Sequence, residues 1–415
     1  MEDGEPRGWA RLGLALRNRN IRRYLIGQSF SLTGHWMQAT AEAWLILELT
    51  GSGTALGVHS LIRFGPVLVF GVHGGLLTDR MERLKLLKIT QGLSALSAMA
   101  LVAIVLSGNP SVIAVYAVGF FQGFVNAVDN PLRRGFIRDM SSDRELPNSV
   151  ALNSTLATVY RTVGPALGGM TIAAFGTLWC FAANAVSYIA VFISLYGIDK
   201  SRLRPPQFAP PGRGQVRAVY SYAFSDPRIW TVLAAIALVG TFAWNYGVLV
   251  PVYATETLGG SASLYGFMLS VIGVGSFVGA LVTARARGDH DRLLARSVVG
   301  VVLSMFGAAV APTPEVAAAA LFLLGAFGTS VVINAQTHLQ LMASDQMSGR
   351  IMALFSIGFV GSKPLGGMIG GWLIDLSSPR LAFAVGGAVV AIGSLATRAW
   401  KVRNGAMAPA ATDRV

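Results

Sequence analysis

Twelve long apolar runs follow one another along the chain, at about 24–48, 54–77, 86–107, 112–133, 150–175, 177–198, 229–252, 263–284, 293–312, 315–341, 350–376 and 381–400. Each is close to the ~20 residues that carry a helix across the hydrocarbon core of a bilayer. No water reaches that core, so each run must satisfy its backbone amides internally, and a helix does so within one segment. The fold class expected is therefore an all-α membrane protein with twelve spans. The first run is too long and too polar for a cleaved leader and reads as a retained span. A chain of 415 residues with only 13% charged side chains and a mean hydropathy of +0.56 agrees with this, since soluble domains carry about twice that charge.

The charge that remains is positive, formally +13. A basic chain raises the possibility of nucleic acid, and the placement of the charges removes it. Arg and Lys cluster before span 1 (Arg17, Arg19, Arg22, Arg23), between spans 2 and 3 (Arg80, Arg83, Lys85, Lys88), between spans 4 and 5, between spans 6 and 7, between spans 8 and 9, and after span 12. The alternate connections hold a single arginine, Arg380. Positive charge dealt to every second loop is a topology signal, and it predicts both termini in the cytoplasm. It does not form the single basic patch that nucleic acid requires. Residues 200–228 are rich in Pro, Gly and Arg and read as a cytoplasmic linker. The expected organisation is a cytoplasmic segment 1–23, a six-span half 24–199, the linker 200–228, a second half 229–400 and a cytoplasmic tail 401–415.

The halves resemble each other. VGPALGGM at 163–170 has a counterpart in SKPLGGM at 362–368, and GGLLTDR near the end of span 2 has a decayed counterpart in GALVTARAR at 279–287. Each pairing falls at the same place in the order of spans. Two parallel six-span repeats are the plan of a large transporter class.

Gly75, Leu77, Asp79, Arg80, Arg83 and Leu87 match the loop signature between spans 2 and 3 of the major facilitator superfamily. With twelve spans and a basic linker, the chain resembles that superfamily over about residues 20–400. The phrases ELTGSGTALG, DRELPNSVALNSTLATVYRTVGPALGG and GRIMALFSIGFVGSKPLGG resemble its enterobactin-exporter and macrolide-efflux branch. The resemblance implies a gating latch. Asp79 would accept hydrogen bonds at the N-terminus of helix 11, near Arg350. Arg80 and Arg83 would add charged contacts, with Asp129 on helix 4 a partner. Gly75 would allow close helix approach. Glu82 stands where the family carries Gly, and Leu84 where a basic residue is common, so the loop bend is expected to differ.

Charges at membrane depth cost at least ~2.5–3.5 kcal/mol each on an insertion scale, so each needs a reason. His35, Gln38 and Glu42 fall at i, i+3 and i+7 of span 1 and share a face. Glu42 reads either as an outer-surface carboxylate or as a buried proton carrier. Arg63 and Arg161 are the most expensive residues. Arg161 reads either as a substrate or proton-coupling site or as a structural ion-pair partner, and Lys363 either as a side chain that snorkels inward or as a second cation lining the cavity. Gln122 and Asn126 lie on span 4, Trp244, Asn245 and Tyr246 on span 7, and Asn334, Gln336 and His338 on span 10. By resemblance those helices, with span 1, line a substrate cavity. Amides, aromatics and cations together suit a bulky amphipathic or anionic compound. Gly164, Pro165, Gly168 and Gly169, and likewise Pro364, Gly366 and Gly367, form kinked close-packing segments, the first resembling part of an antiporter signature. Gly119 stands where many proton-coupled exporters carry a basic residue.

No Walker loop, zincin motif, paired Cys/His spacing or nucleophile elbow is present. The expectation is a non-enzyme without metal or cofactor: a monomeric secondary transporter in a bacterial inner membrane. Its partners would be a small-molecule substrate, the bilayer, and protons or another coupling ion. Glu42, Asp129 and His35 are the coupling candidates, and export rests on the resemblance. An importer of a small nutrient and a non-transporting receptor or scaffold are the alternative readings.

Overall fold

The apolar runs become helices whose ends are set by local chemistry. The computed structural model describes residues 16–78, 81–204, 226–286, 288–342 and 345–405. Helix α1 (Arg19–Thr50) begins at Asn18, whose side chain accepts from the amides of Asn20 and Ile21, and ends at Gly51 in the left-handed conformation. It is followed by α2 (Gly53–Thr78), α3 (Arg83–Leu106), α4 (Val112–Met140), α5 (Leu146–Phe175) and α6 (Thr177–Tyr196). After the linker come α7 (Pro227–Thr257), α8 (Ala262–Arg285), α9 (His290–Val310), α10 (Pro314–Met342), α11 (Asp345–Val360 resuming as Lys363–Leu376) and α12 (Pro379–Gly405). Asp226 caps α7 through the amide of Arg228, with Pro227 at the first position.

Two spans expected to be continuous are interrupted. α7 runs as Pro227–Phe242, breaks at Ala243–Asn245, resumes as Tyr246–Val252 and finishes in a π turn, Tyr253–Thr257. Asn245 Nδ2 donates to the carbonyl of Thr241 at 2.6 Å and replaces a lost ladder bond. Pro251, without an amide hydrogen, precedes the π turn. In α11 the break at residues 361–362 precedes Pro364, which has the same defect.

Nine helices among the described residues are long and apolar enough to cross a membrane. Their outward faces carry large exposed apolar side chains such as Leu106, Ile113, Ile193, Val310 and Leu395. That surface would be an aggregation liability in water and is the expected one in lipid.

The chain divides into two compact units. Unit 1 comprises Met1–Gly51, Ile62–Pro210 and Gly260–Gly273; unit 2 comprises Ser52–Leu61, Pro211–Gly259 and Val274–Val415. In unit 1, α1 packs mainly on α5 and α6, and α3 on α4 and α6. In unit 2, α7 packs on α11 and α12, and α9 on α10 and α12. One end of unit 1 is knit by Ile21, Tyr24, Leu87, Leu132 and Phe136, with the Tyr24 and Phe136 rings edge to face at 5.4 Å. Close packing elsewhere needs glycine. A Cβ on Gly169 would be driven into the backbone of Gly266, and one on Gly366 into the carbonyl of Thr241. Gly164 and Gly168 lie equally close to Trp36 and Met37 on α1, and Gly367 to Ser60. Pro165 and Pro364 sit within the same two packed stretches, both buried.

Candidate functional site

Unit 1 holds two buried polar clusters. In the first, Glu42 on α1 is buried and ion-paired with Arg63 on α2, itself buried. Its second oxygen accepts from Gln38 Nε2 at 2.7 Å, one helical turn away. Gln38 Oε1 in turn accepts from Asn184 Nδ2 on α6 at 2.6 Å. His35 Nε2 lies 3.5 Å from Arg63 Nη2. The shared face of His35, Gln38 and Glu42 therefore points into the helix assembly, and Glu42 is a buried carboxylate rather than a surface one. A charge removed from water persists only if paired and hydrogen-bonded, which is what these partners supply. Asn184 completes the chain of bonds. Asn184 is the one side-chain amide in α6, and that was the sequence signal for it.

The second cluster centres on Asp129 of α4. One carboxylate oxygen accepts from Thr90 Oγ1 at 2.7 Å and Gln91 Nε2 at 2.8 Å, and the other pairs with Arg133, four residues on. Arg133 also donates to Gln28 and, at 3.2 Å, to Gln91 Oε1. Asp129 is thus occupied by its own helix and by α3. Arg83 instead pairs with Asp139 at 2.6 Å. Arg83 thus reaches helix 4 at Asp139 rather than at Asp129. Asp139 lies ten residues further along α4, at the end where α3 begins, and Arg83 starts that helix. Asp79 and Arg80 lie outside the described residues, as do the surroundings of Gly75 and Arg350.

Gln122 is buried and donates to Ser94 and Asn126, each at 3.1 Å. Arg161 is exposed, its guanidinium 5.6 Å from the Trp36 ring centre. Such a cation over an aromatic face is worth about 0.5–1 kcal/mol at an exposed site.

Unit 2 has a different character. Trp244 stacks edge-on to Phe359 at 5.0 Å and lies 5.8 Å from Tyr246. Lys363 Nζ stands 5.3 Å over the Phe359 ring. Asn245, in the α7 break, is buried. Asn334 is buried and bonded to Ser297 at 3.3 Å. Gln336 is exposed and does not join that group. His338 lies beside His290, with ring centres 6.4 Å apart. Unit 1 thus gathers ionised groups and amides, and unit 2 gathers aromatic rings with one cation. Among the described residues no group of three or more His, Cys, Asp or Glu is arranged to hold a metal. A cavity of about 180 Å³ lies within unit 2 among α7, α9 and α12, lined by none of these residues, with Asp291 at its polar end next to His290.

A family model described as a transmembrane secretion effector matches residues 13–414. Among characterised relatives, the chain is 23% identical over 270 residues to the Staphyloferrin A transporter of Staphylococcus aureus (strain NCTC 8325 / PS 47), covering 63% of this chain and 66% of that protein. It is 23% identical over 390 residues to the Enterobactin exporter EntS of Salmonella typhimurium (strain LT2), covering 92% and 93%. Solved structures share the fold at low identity. They include the nucleoside transporter NupG (TM-score 0.72, 13% identical, covering 92% of this chain and 98% of that one). They also include a D-xylose-proton symporter (0.72, 15%, covering 92% and 97%).

Proposed function

Because the chain belongs to the transmembrane secretion effector family of the major facilitator superfamily, and is therefore a multi-pass membrane transporter of small molecules, we propose that it exports a siderophore-like anionic compound in exchange for protons. The observation that carries the coupling half of this reading is the buried Glu42–Arg63 pair, bridged through Gln38 to Asn184 and flanked by His35. A carboxylate kept at membrane depth beside a cation and a histidine is the chemistry of a proton relay. Protonating Glu42 would break its ion pair with Arg63, so proton uptake and release here would switch the cluster between two arrangements.

The substrate half rests on two supports. The relatives named above carry siderophore names. Trp244, Tyr246 and Phe359 offer flat apolar faces beside Lys363, which suits an aromatic anion. Alternating access with both termini cytoplasmic is the proposed mode. It is supported by the alternation of basic loops and by helix pairing that recurs six helices on, α1 with α5 and α6 as α7 with α11 and α12. A proton entering down ~100 mV yields about 2.3 kcal/mol, enough for a gradient of roughly fiftyfold. The membrane proposed is the bacterial inner membrane.

Retention assays test this. Cells with and without the protein are loaded with catecholate and hydroxycarboxylate siderophores, macrolides and dyes, with and without a protonophore. Lower retention of a siderophore that the protonophore abolishes is the expected result. Higher retention in cells carrying the protein would mean import and overturn the direction. No effect on any compound would overturn the substrate class.

A further inference from the structure

The cavity in unit 2 is not part of the site above. It opens on the outward face between α9 and α12, with α7 at its back. Its walls are apolar. Val299, Leu303 and Leu395 are 55%, 66% and 68% exposed, so they lie where acyl chains run. At its polar end stand Asp291, Arg398 and, beyond, Lys401. Lys401 Nζ occupies the Asp291 carboxylate at 2.9 Å, and Arg398 Nη2 reaches only the Asp291 backbone carbonyl, at 3.4 Å. With Asp291 neutralised by Lys401, the rim keeps the positive charge of Arg398. Lower in the groove, Ser394 Oγ is buried and has no hydrogen-bond partner. A hydroxyl buried without a partner costs about 1–3 kcal/mol, so its retention points to a bound acceptor.

An apolar trough, a hydroxyl donor part-way along and a cationic rim match a glycerophospholipid in order: acyl chain, ester carbonyl, phosphate. We propose that this groove is a specific site for a phospholipid with an anionic headgroup. One acyl chain lies along Val299, Leu303 and Leu395, Ser394 Oγ donates to an ester carbonyl, and Arg398 holds the phosphate. Net positive charge at the rim selects an anionic headgroup over a zwitterionic one.

The test uses the full-length transporter purified in mild detergent. Dioleoyl phosphatidylglycerol, dioleoyl phosphatidylcholine or inorganic phosphate is added, retained lipid is counted by native mass spectrometry, and the melting temperature is followed. Val299→Trp fills the trough and Arg398→Gln removes the rim cation. Both are exposed positions, so the fold survives, and Leu323→Trp on α10 controls for a new lipid-facing indole. The expected result is a phosphatidylglycerol molecule that resists delipidation and raises the melting temperature. Affinity should fall roughly tenfold or more in Arg398→Gln, the size of a lost charge-assisted bond, and be lost in Val299→Trp but not in the control. Equal stabilisation by phosphatidylcholine, an effect of phosphate alone, or unchanged retention in Val299→Trp would each overturn the proposal.

Discussion

Arg63 and Glu42 come from neighbouring helices, are both buried, and form an ion pair whose remaining carboxylate oxygen is held by Gln38. Removing one partner of such a pair leaves a lone charge in a medium that cannot solvate it. Arg63→Ala is expected to destabilise the protein by about 3–5 kcal/mol, whereas Arg63→Leu with Glu42→Leu together should cost far less. Thermal unfolding of Arg63→Ala and of the double variant in detergent checks this. If the double variant folds but fails to transport, the pair works in transport. If it transports normally, the pair is only structural.

A second relationship joins the distant ends of the chain. Asp375 on α11 accepts from the amides of Gly53 and Thr54 at 2.6 and 3.0 Å and from Ser52 Oγ at 2.6 Å. It caps the N-terminus of α2 from 322 residues away. Loss of a side-chain cap costs typically ~1 kcal/mol. Asp375→Ala should therefore lower stability by about 0.5–2 kcal/mol and speed hydrogen exchange at Gly53 and Thr54. Unchanged exchange there would refute the capping role.

The glycine contacts predict steric failure. Gly366→Val puts a branched side chain where the Thr241 carbonyl already stands. Overpacking costs about 1–3 kcal/mol, occasionally more, and the loss should show as reduced folded yield. Gly65→Ala, with open space at the Cβ position, should leave the yield unchanged.

A pH effect is expected at the turn between α4 and α5. Burial pushes the Glu145 carboxyl up, but the amide and hydroxyl of Ser142 and the side chain of Asn18 pull it further down, so it sits below its ordinary value of 4.5. A group with a lowered folded value stabilises fully above its unfolded value and loses that contribution as pH falls through the lowered one. Local protection of residues 142–149 should therefore hold at neutral pH and decline below about 4.5. Glu145→Gln should flatten that decline. A wild-type profile without any step in this range would refute it.

Span positions were legible because a bilayer imposes one length and one polarity on every crossing. The breaks in α7 and α11 were less so. Pro251 and Pro364 are visible in sequence, but whether a proline bends, breaks or merely starts a helix depends on the neighbour that re-satisfies the backbone, here Asn245 bonding Thr241. The face of His35, Gln38 and Glu42 was readable from helical spacing, and its partner Arg63 was readable as an expense needing an explanation. The engagement of Asp129 by Arg133 follows the i, i+4 rule. Arg83 pairs with Asp139, nearer its own end of α4. Asp375 could not be assigned from sequence, because nothing local marks a carboxylate as the cap of a helix more than 300 residues away.

The most direct test of the account is substrate movement in everted membrane vesicles energised by respiration. The account predicts that a catecholate siderophore accumulates inside them, that a protonophore collapses the accumulation, and that Arg63→Leu with Glu42→Leu abolishes it while the protein remains folded. Accumulation that ignores the protonophore and survives the double substitution would contradict it.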